Sequence, residues 1–199
     1  MKTVLVTASA SSNGFCLASS EIKVHLRLPT SSTGENSLLS GLRDAAQNVT
    51  ENYINRKLTT QTWKIYFDEF PSEQAFEIPY PPLVSVPSTG IKYTLSSGGS
   101  TTFSSTKWNQ DIVSEPGRVV LGYNDDWPSN TLETNNPIEI LFNCGYKSTN
   151  RPQAIKQAML LMVGSWYENR EEIIVSGQSF QKMPIGTKSL LDPYRIFRF

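Results

Sequence analysis

At 199 residues the chain can form one domain with a sizeable core and no staples. Its 18 basic and 18 acidic residues cancel, which argues against a sequence-independent nucleic-acid binder, because neutralising phosphates takes a basic excess. Cys16 and Cys144 are the only cysteines and His25 the only histidine, so a structural zinc site lacks its four ligands, and the cysteines read as two free thiols in a reducing compartment.

Lys2, Val4, Leu5 and Val6 begin like a secretory signal, but the run breaks at once into Thr7, Ser9, Ser11, Ser12 and Asn13. That is short of the roughly 7–15 apolar residues of a signal core. The segment reads as a short strand and a loop in a cytoplasmic protein. Ser19 or Ser20 can cap a short helix from Glu21, with Ile22, Leu26 and Leu28 inward, until Pro29 ends it. After a polar loop over 30–34, residues 36–56 place Leu38, Leu39, Leu42, Ala45, Ala46, Val49, Tyr53 and Ile54 on one face of an amphipathic helix.

From Leu58 to Gly145 the pattern becomes β. Strands are expected at 62–67, 76–78, 91–95, 101–103, 118–121 and 138–142, the last alternating strictly. Ser96-Ser97-Gly98-Gly99-Ser100 supplies a turn between two of them.

The span 152–171 opens with Pro152 at a helix start and carries Ile155, Ala158, Met159, Met162, Val163 and Trp166 at helical spacing. Leu160, Leu161 and Tyr167 widen that stripe over most of the circumference. Two apolar faces mean a central helix, or a helix whose second face meets another subunit. Leu160, Leu161 and Tyr167 are therefore candidates for a subunit contact, and Glu168 and Arg170, in the charged helix end, for ion pairing across it. Residues 177–186 read as loop, 187–191 as one turn and 192–199 as an extended tail. Tyr194, Ile196, Phe197 and Phe199 are apolar residues near the end of the chain, and termini usually fray. Either the tail folds back on its own domain, or it docks into a partner as an aromatic-anchored arm, with Arg195 and Arg198 meeting carboxylates.

The order is helices, strands, helix. It implies an α+β fold: a small bundle of three to four helices (about 18–57 and 150–176) with an inserted antiparallel β block (about 58–148) and a C-terminal arm (186–199), all one domain. No stretch approaches the roughly 18 apolar residues of a membrane span.

The chain offers little chemistry. It lacks a Gly-x-Ser-x-Gly elbow, and His25, beside Lys23 and Arg27, reads as a surface or packing residue. Gly186-Thr187-Lys188-Ser189 lacks the earlier glycine and the strand of a phosphate loop. Asp125 and Asp126 before Trp127-Pro128 suit turn formation better than calcium, which takes six to eight oxygens. The reading is no catalytic residue, no cofactor and no metal. A small carbohydrate-binding or hydrolytic module around Asp125 and Trp127 is the alternative from another class.

Several motifs together resemble one family. They are the run Leu17-Ala18-Ser19-Ser20-Glu21-Ile22-Lys23-Val24-His25-Leu26-Arg27, Tyr53-Ile54-Asn55-Arg56-Lys57-Leu58 before Gln61-Thr62-Trp63, and Phe70-Pro71 before Ile78-Pro79-Tyr80-Pro81-Pro82-Leu83-Val84-Ser85-Val86. Cys144-Gly145-Tyr146, Ile155-Lys156-Gln157-Ala158, Trp166-Tyr167-Glu168-Asn169-Arg170-Glu171 and Pro193-Tyr194-Arg195 follow in order. The chain is similar to the head–tail connector (adaptor, or head-completion) proteins of tailed bacteriophages. Cys144 departs from it, standing where a small residue such as alanine is usual, and the 30–34 loop lacks the family's acidic character. The resemblance implies a non-enzymatic virion subunit of the neck, assembled in the bacterial cytoplasm. Its copies would form a ring, commonly twelve-fold, beneath the portal protein. That ring would extend the DNA channel without sequence-specific binding and receive a stopper or tail-side connector, with no membrane involved. The same resemblance makes Tyr194, Arg195, Ile196, Phe197 and Phe199 candidates for a portal-gripping arm. Another neck or tail-completion role is the nearest alternative.

Overall fold

The computed structural model describes residues 2–7, 15–169 and 185–197. Its strands are β1 (Lys2–Thr7), β2 (Gln61–Phe67), β3 (Ala75–Glu77), β4 (Leu83–Ser85), β5 (Ile91–Thr94), β6 (Ser100–Thr102), β7 (Trp108–Asp111), β8 (Arg118–Leu121) and β9 (Ile138–Cys144). All belong to one unit, Met1–Ser11 with Thr59–Tyr146; the helices belong to a second, Ser12–Leu58 with Lys147–Phe199.

In the β unit β9 is the organising strand. Its side chains alternate with period two, Ile138, Ile140, Phe142 and Cys144 buried and those between half-buried. Along one edge it pairs antiparallel with β2, from Gln61↔Cys144 to Phe67↔Ile138. The other edge takes β5 and then β4. β1 and β6 complete a six-stranded sheet ordered β1-β2-β9-β5-β6, with β4 beside β9, and a smaller sheet runs β3-β8-β7. Both sheets feed one core, in which Ile65, Ile91, Ile138, Ile140 and Phe142 meet Phe76, Val119 and Trp108. On the opposite face of β9, Glu139 accepts hydrogen bonds from Lys64 at 2.9 Å and the Tyr66 hydroxyl at 3.1 Å, a cross-strand cluster of the kind that steadies a half-exposed sheet.

The strands expected from the sequence are present within a residue or two. Two more, β4 and β7, carry no apolar–polar alternation: β4 follows directly on Pro81-Pro82, and Asn109 and Gln110 of β7 are both exposed.

The helical unit contains α1 (Ser19–His25), α2 (Asn36–Ile54), α3 (Gln153–Glu168) and α4 (Ile185–Leu191). Neither Ser19 nor Ser20 caps α1. Ala18 occupies the cap position, and the Glu21 carboxylate reaches back to accept its N–H at 2.7 Å, which is the acidic half of a capping box. Arg27 ends the helix in the left-handed conformation, φ 57°. Lys23 is buried, its ammonium donating to the carbonyls of Thr30 and Ser32 and so holding the 30–34 loop.

The buried face of α2 is turned from the one expected. Leu39, Ala46 and Ile54 are inside, but so are Gln47, Thr50 and Glu51, whereas Val49 is exposed. A polar network accounts for the turn. Gln47 accepts the Cys16 N–H at 2.9 Å and donates to Glu51, which also takes the Leu58 N–H at 3.0 Å and the Lys57 ammonium at 2.9 Å. Arg151 completes it by donating to the carbonyls of Leu58 and Cys16 at 2.9 and 3.0 Å. Buried polar groups are tolerated because each finds a partner. α3 packs on α1, α2 and α4, and Gly164 lets α1 close in, since a β-carbon there would stand 3.2 Å from His25 Nε2.

Candidate interaction surfaces

The described residues contain no group of three or more His, Cys, Asp or Glu side chains placed to hold a metal. Nor is any described helix long and apolar enough to cross a membrane. The region around Asp125 is a mostly polar cleft of about 510 Å³. Trp127 does not offer a stacking face there: Phe70 lies parallel to it at 5.5 Å, Phe76 meets it edge-on at 4.8 Å, and its indole N–H donates to the Glu73 carbonyl at 2.9 Å. Asp125 closes a turn, its N–H bonded to the Gly122 carbonyl.

On α3, Ile155, Ala158, Met159, Met162 and Val163 form the buried stripe. Leu160 is half-buried. Part of the second apolar face is met within the chain, because α4, two turns long where one was expected, packs on α3 as well as on α2. Tyr167 is half-buried and braces its own unit by donating to Glu35 at 2.7 Å. Leu161, 39% exposed, and Glu168, exposed, remain on the surface, seven residues apart and so on one side of the helix. Arg170 lies outside the described residues.

The C-terminal segment is not free through its length. A 3-10 turn over Asp192–Tyr194 leads into extended backbone. The Ile196 N–H donates to the Ile54 carbonyl at 3.0 Å, Asn55 to the Ile196 carbonyl at 2.7 Å and Arg56 to the Tyr194 carbonyl at 2.6 Å. The first satisfies the Ile54 carbonyl at the end of α2, where the last carbonyls lack intrahelical partners, and the other two use side chains just past that end to hold tail carbonyls. The Tyr53 hydroxyl bonds to Asp192, and burial adds to that bond and the carboxylate charge in pushing the Tyr53 pKa up. Arg195 lies between the rings of Tyr53 and Phe197, 4.9 and 4.8 Å from their centroids. Phe197 is 61% exposed. Of the five arm candidates, then, Tyr194 and Ile196 are tied down, Arg195 and Phe197 face outward, and Phe199 lies outside the described residues.

Two surface features of the β unit were not read from the sequence. The β7–β8 hairpin carries exposed Ile112 and Val113 at its tip, ordered by Asp111, which accepts hydrogen bonds from Val113 and Ser114 and pairs with Arg118 at 2.8 Å. The Ser114 hydroxyl and N–H and the Arg118 guanidinium hold the Asp111 carboxyl well below the ordinary carboxylate range. The second feature is a cleft of about 580 Å³ floored by Phe67, Phe70 and Phe76 and edged by Glu69, Glu73 and Glu77. Its signal was the interleaving of Phe and Glu from 67 to 77.

In the helical unit, Cys16 lines a small cleft with Phe15, Arg43, Arg151 and Lys156. Burial pushes its thiol up to about 11 although Arg151 and Lys156 pull it down, so the group is an inert neutral thiol at neutral pH. Cys144 is likewise buried, and neither forms a disulfide.

No protein-family model matches the chain, and no curated protein matches it. Solved structures do share its fold. A chain from the neck of an empty gene transfer agent (GTA) particle, computed with C6 symmetry, superposes with a TM-score of 0.78 at 21% identity, covering 100% of this chain and 97% of that one. A chain from the virion of a native GTA particle gives 0.77 at 20% identity with the same coverage. One from the neck of a native GTA particle, computed with C12 symmetry, gives 0.73 at 20%. At these identities the likeness is one of fold, and it extends over both units.

Proposed function

We propose that this chain is a non-enzymatic structural subunit of the neck of a tailed phage or phage-like particle, forming a ring below the portal. The observation that carries this reading is the full-length likeness to neck chains: helices, β block and tail follow in one order across 97% of the relative. The motif resemblance to head–tail connectors points the same way. Neck chains treated with six- and twelve-fold symmetry support a cyclic, heterologous assembly, in which one surface of each copy meets a different surface of the next. A net charge of zero suits a channel wall past which DNA slides without being held. The ring extends that channel and receives the next neck or tail-side protein. It forms in the host cytoplasm and stays in the virion.

Leu161 and Glu168 are the α3 residues offered to a neighbour, with Arg170 beyond them. The C-terminal segment, expected to grip the portal, is held on its own unit as far as Ile196, so among the described residues it presents Arg195 and Phe197 to a partner. Mixing the purified protein with isolated portal rings and sizing the product tests the reading. Co-migration in a ring stoichiometry is expected; separate elution of the two proteins under all ionic strengths would sink it.

A further inference from the structure

We propose that the Phe67–Phe70–Phe76 cleft of one copy receives the C-terminal segment of a second copy. Phe197 would sit on the aromatic floor, and Arg195 against Glu69, Glu73 and Glu77. This rests on the ring reading above and names one of its contacts.

The cleft gathers three carboxylates. Glu21, Glu51, Asp111 and Glu139 all hold basic or hydrogen-bonding partners. The carboxylates of Glu69, Glu73 and Glu77 have none among the described residues, and all three are exposed beside half-buried Phe67 and Phe70. Three like charges around an apolar floor repel one another and favour an apolar ligand that brings cations. At about 580 Å³ the cleft has the size of those that enclose small apolar ligands.

The sequence Arg195-Ile196-Phe197-Arg198-Phe199 is the chain's own match to that chemistry, two guanidinium groups interleaved with two phenyl rings. Aromatic and Arg residues dominate binding energy at interfaces. The hydrogen bonds from Asn55, Arg56 and Ile196 fix the backbone at the start of this segment, and Tyr53 stacks the Arg195 head beside Phe197. Less freedom is therefore lost on docking. The cleft belongs to the β unit and the segment to the helical unit, so the contact is head-to-tail, the kind that propagates around a ring.

Two full-length variants test it. One carries Glu69→Lys and Glu73→Lys and keeps its tail; the other carries Arg195→Ala and Phe197→Ala and keeps its cleft. Circular dichroism and melting should match the wild type for both, since the substituted side chains are exposed. Each variant alone should fail to close rings under conditions where the wild type does. Mixed in equal amounts they should stop at a two-copy complex, because only one tail-to-cleft contact can form. Variants that still form rings, or a mixture that stays monomeric while the wild type assembles, would overturn the inference and leave the ring reading intact. A tail variant that forms rings but no longer binds portal would assign the segment to the portal instead. If the wild type forms no ring at all, a labelled peptide of residues 193–199 decides. It should bind wild-type protein at least about tenfold more tightly than the Glu69→Lys, Glu73→Lys variant, and less tightly as salt rises. Equal binding to both would end the proposal.

Discussion

Gly145 and Asp111 each do something in the β unit that no other side chain at those positions could. At Gly145 the backbone runs at φ +99°, and a β-carbon would stand 2.0 Å from the Thr59 carbonyl oxygen. Both the conformation and the close approach require glycine. Gly145→Ala should cost about 3 kcal/mol or more, the sum of backbone strain and a clash that backbone must relieve, read as a fall in the urea midpoint at unchanged slope. At Asp111 the folded-state pKa lies below the ordinary value. The stability it contributes is thus present above the usual carboxylate range and is lost as pH falls towards the folded value. Protection of the Val113 and Ser114 amides, relative to their intrinsic exchange rates, should begin to fall as pH drops below about 4 while the core strands keep theirs. Asp111→Asn should quicken the same amides at neutral pH. Wild-type protection at these two amides in Asp111→Asn would contradict this.

Among the elements, those with a strong period were legible and those held by local polar bonds were not. β9 and β2 announce themselves through alternation and β-branched or aromatic residues. The helix over 152–171 is α3, which ends three residues earlier, at Glu168. β4 and β7 escaped because one follows two prolines and the other puts polar residues at its centre. The surplus apolarity of α3 suggested a partner outside the chain, and α4 supplies part of it, which a seven-residue helix beginning Ile185-Gly186-Thr187 hardly signals. In α2 the periodicity was right but the face was turned, because Gln47 and Glu51 bind backbone at Cys16 and Leu58 that sequence spacing cannot bring together. Glu51→Ala should therefore destabilise the helical unit by about 2–3 kcal/mol, leaving the Leu58 N–H and the Lys57 ammonium without their acceptor. Ala45→Ser, on the exposed side of the same helix, should change stability by less than about 0.5 kcal/mol. Thermal melts of the two variants compare them directly; equal effects would mean that the network contributes nothing.

The whole molecule was legible as α+β, and that fold is shared over its full length with chains of gene transfer agent particles. The candidate surfaces were legible only in part. Leu161 and Glu168 are exposed, Tyr167 is occupied with Glu35, and the acidic aromatic cleft went unread because neither strand nor helix spacing joins its three glutamates. If α3 contacts a neighbour, Leu161→Glu should leave the melting temperature of the monomer within about 2 °C, as expected of an exposed substitution, while reducing ring formation on portal. Loss of melting temperature together with assembly would instead mark Leu161 as core. The central claim, that this chain is a ring subunit of the neck, is tested most directly by imaging the particle that carries it and asking where its density lies. A closed ring fitting both units of the chain, directly beneath the portal and around the DNA channel, is the predicted result. Finding the chain elsewhere in the virion, or nowhere in it, would contradict the account.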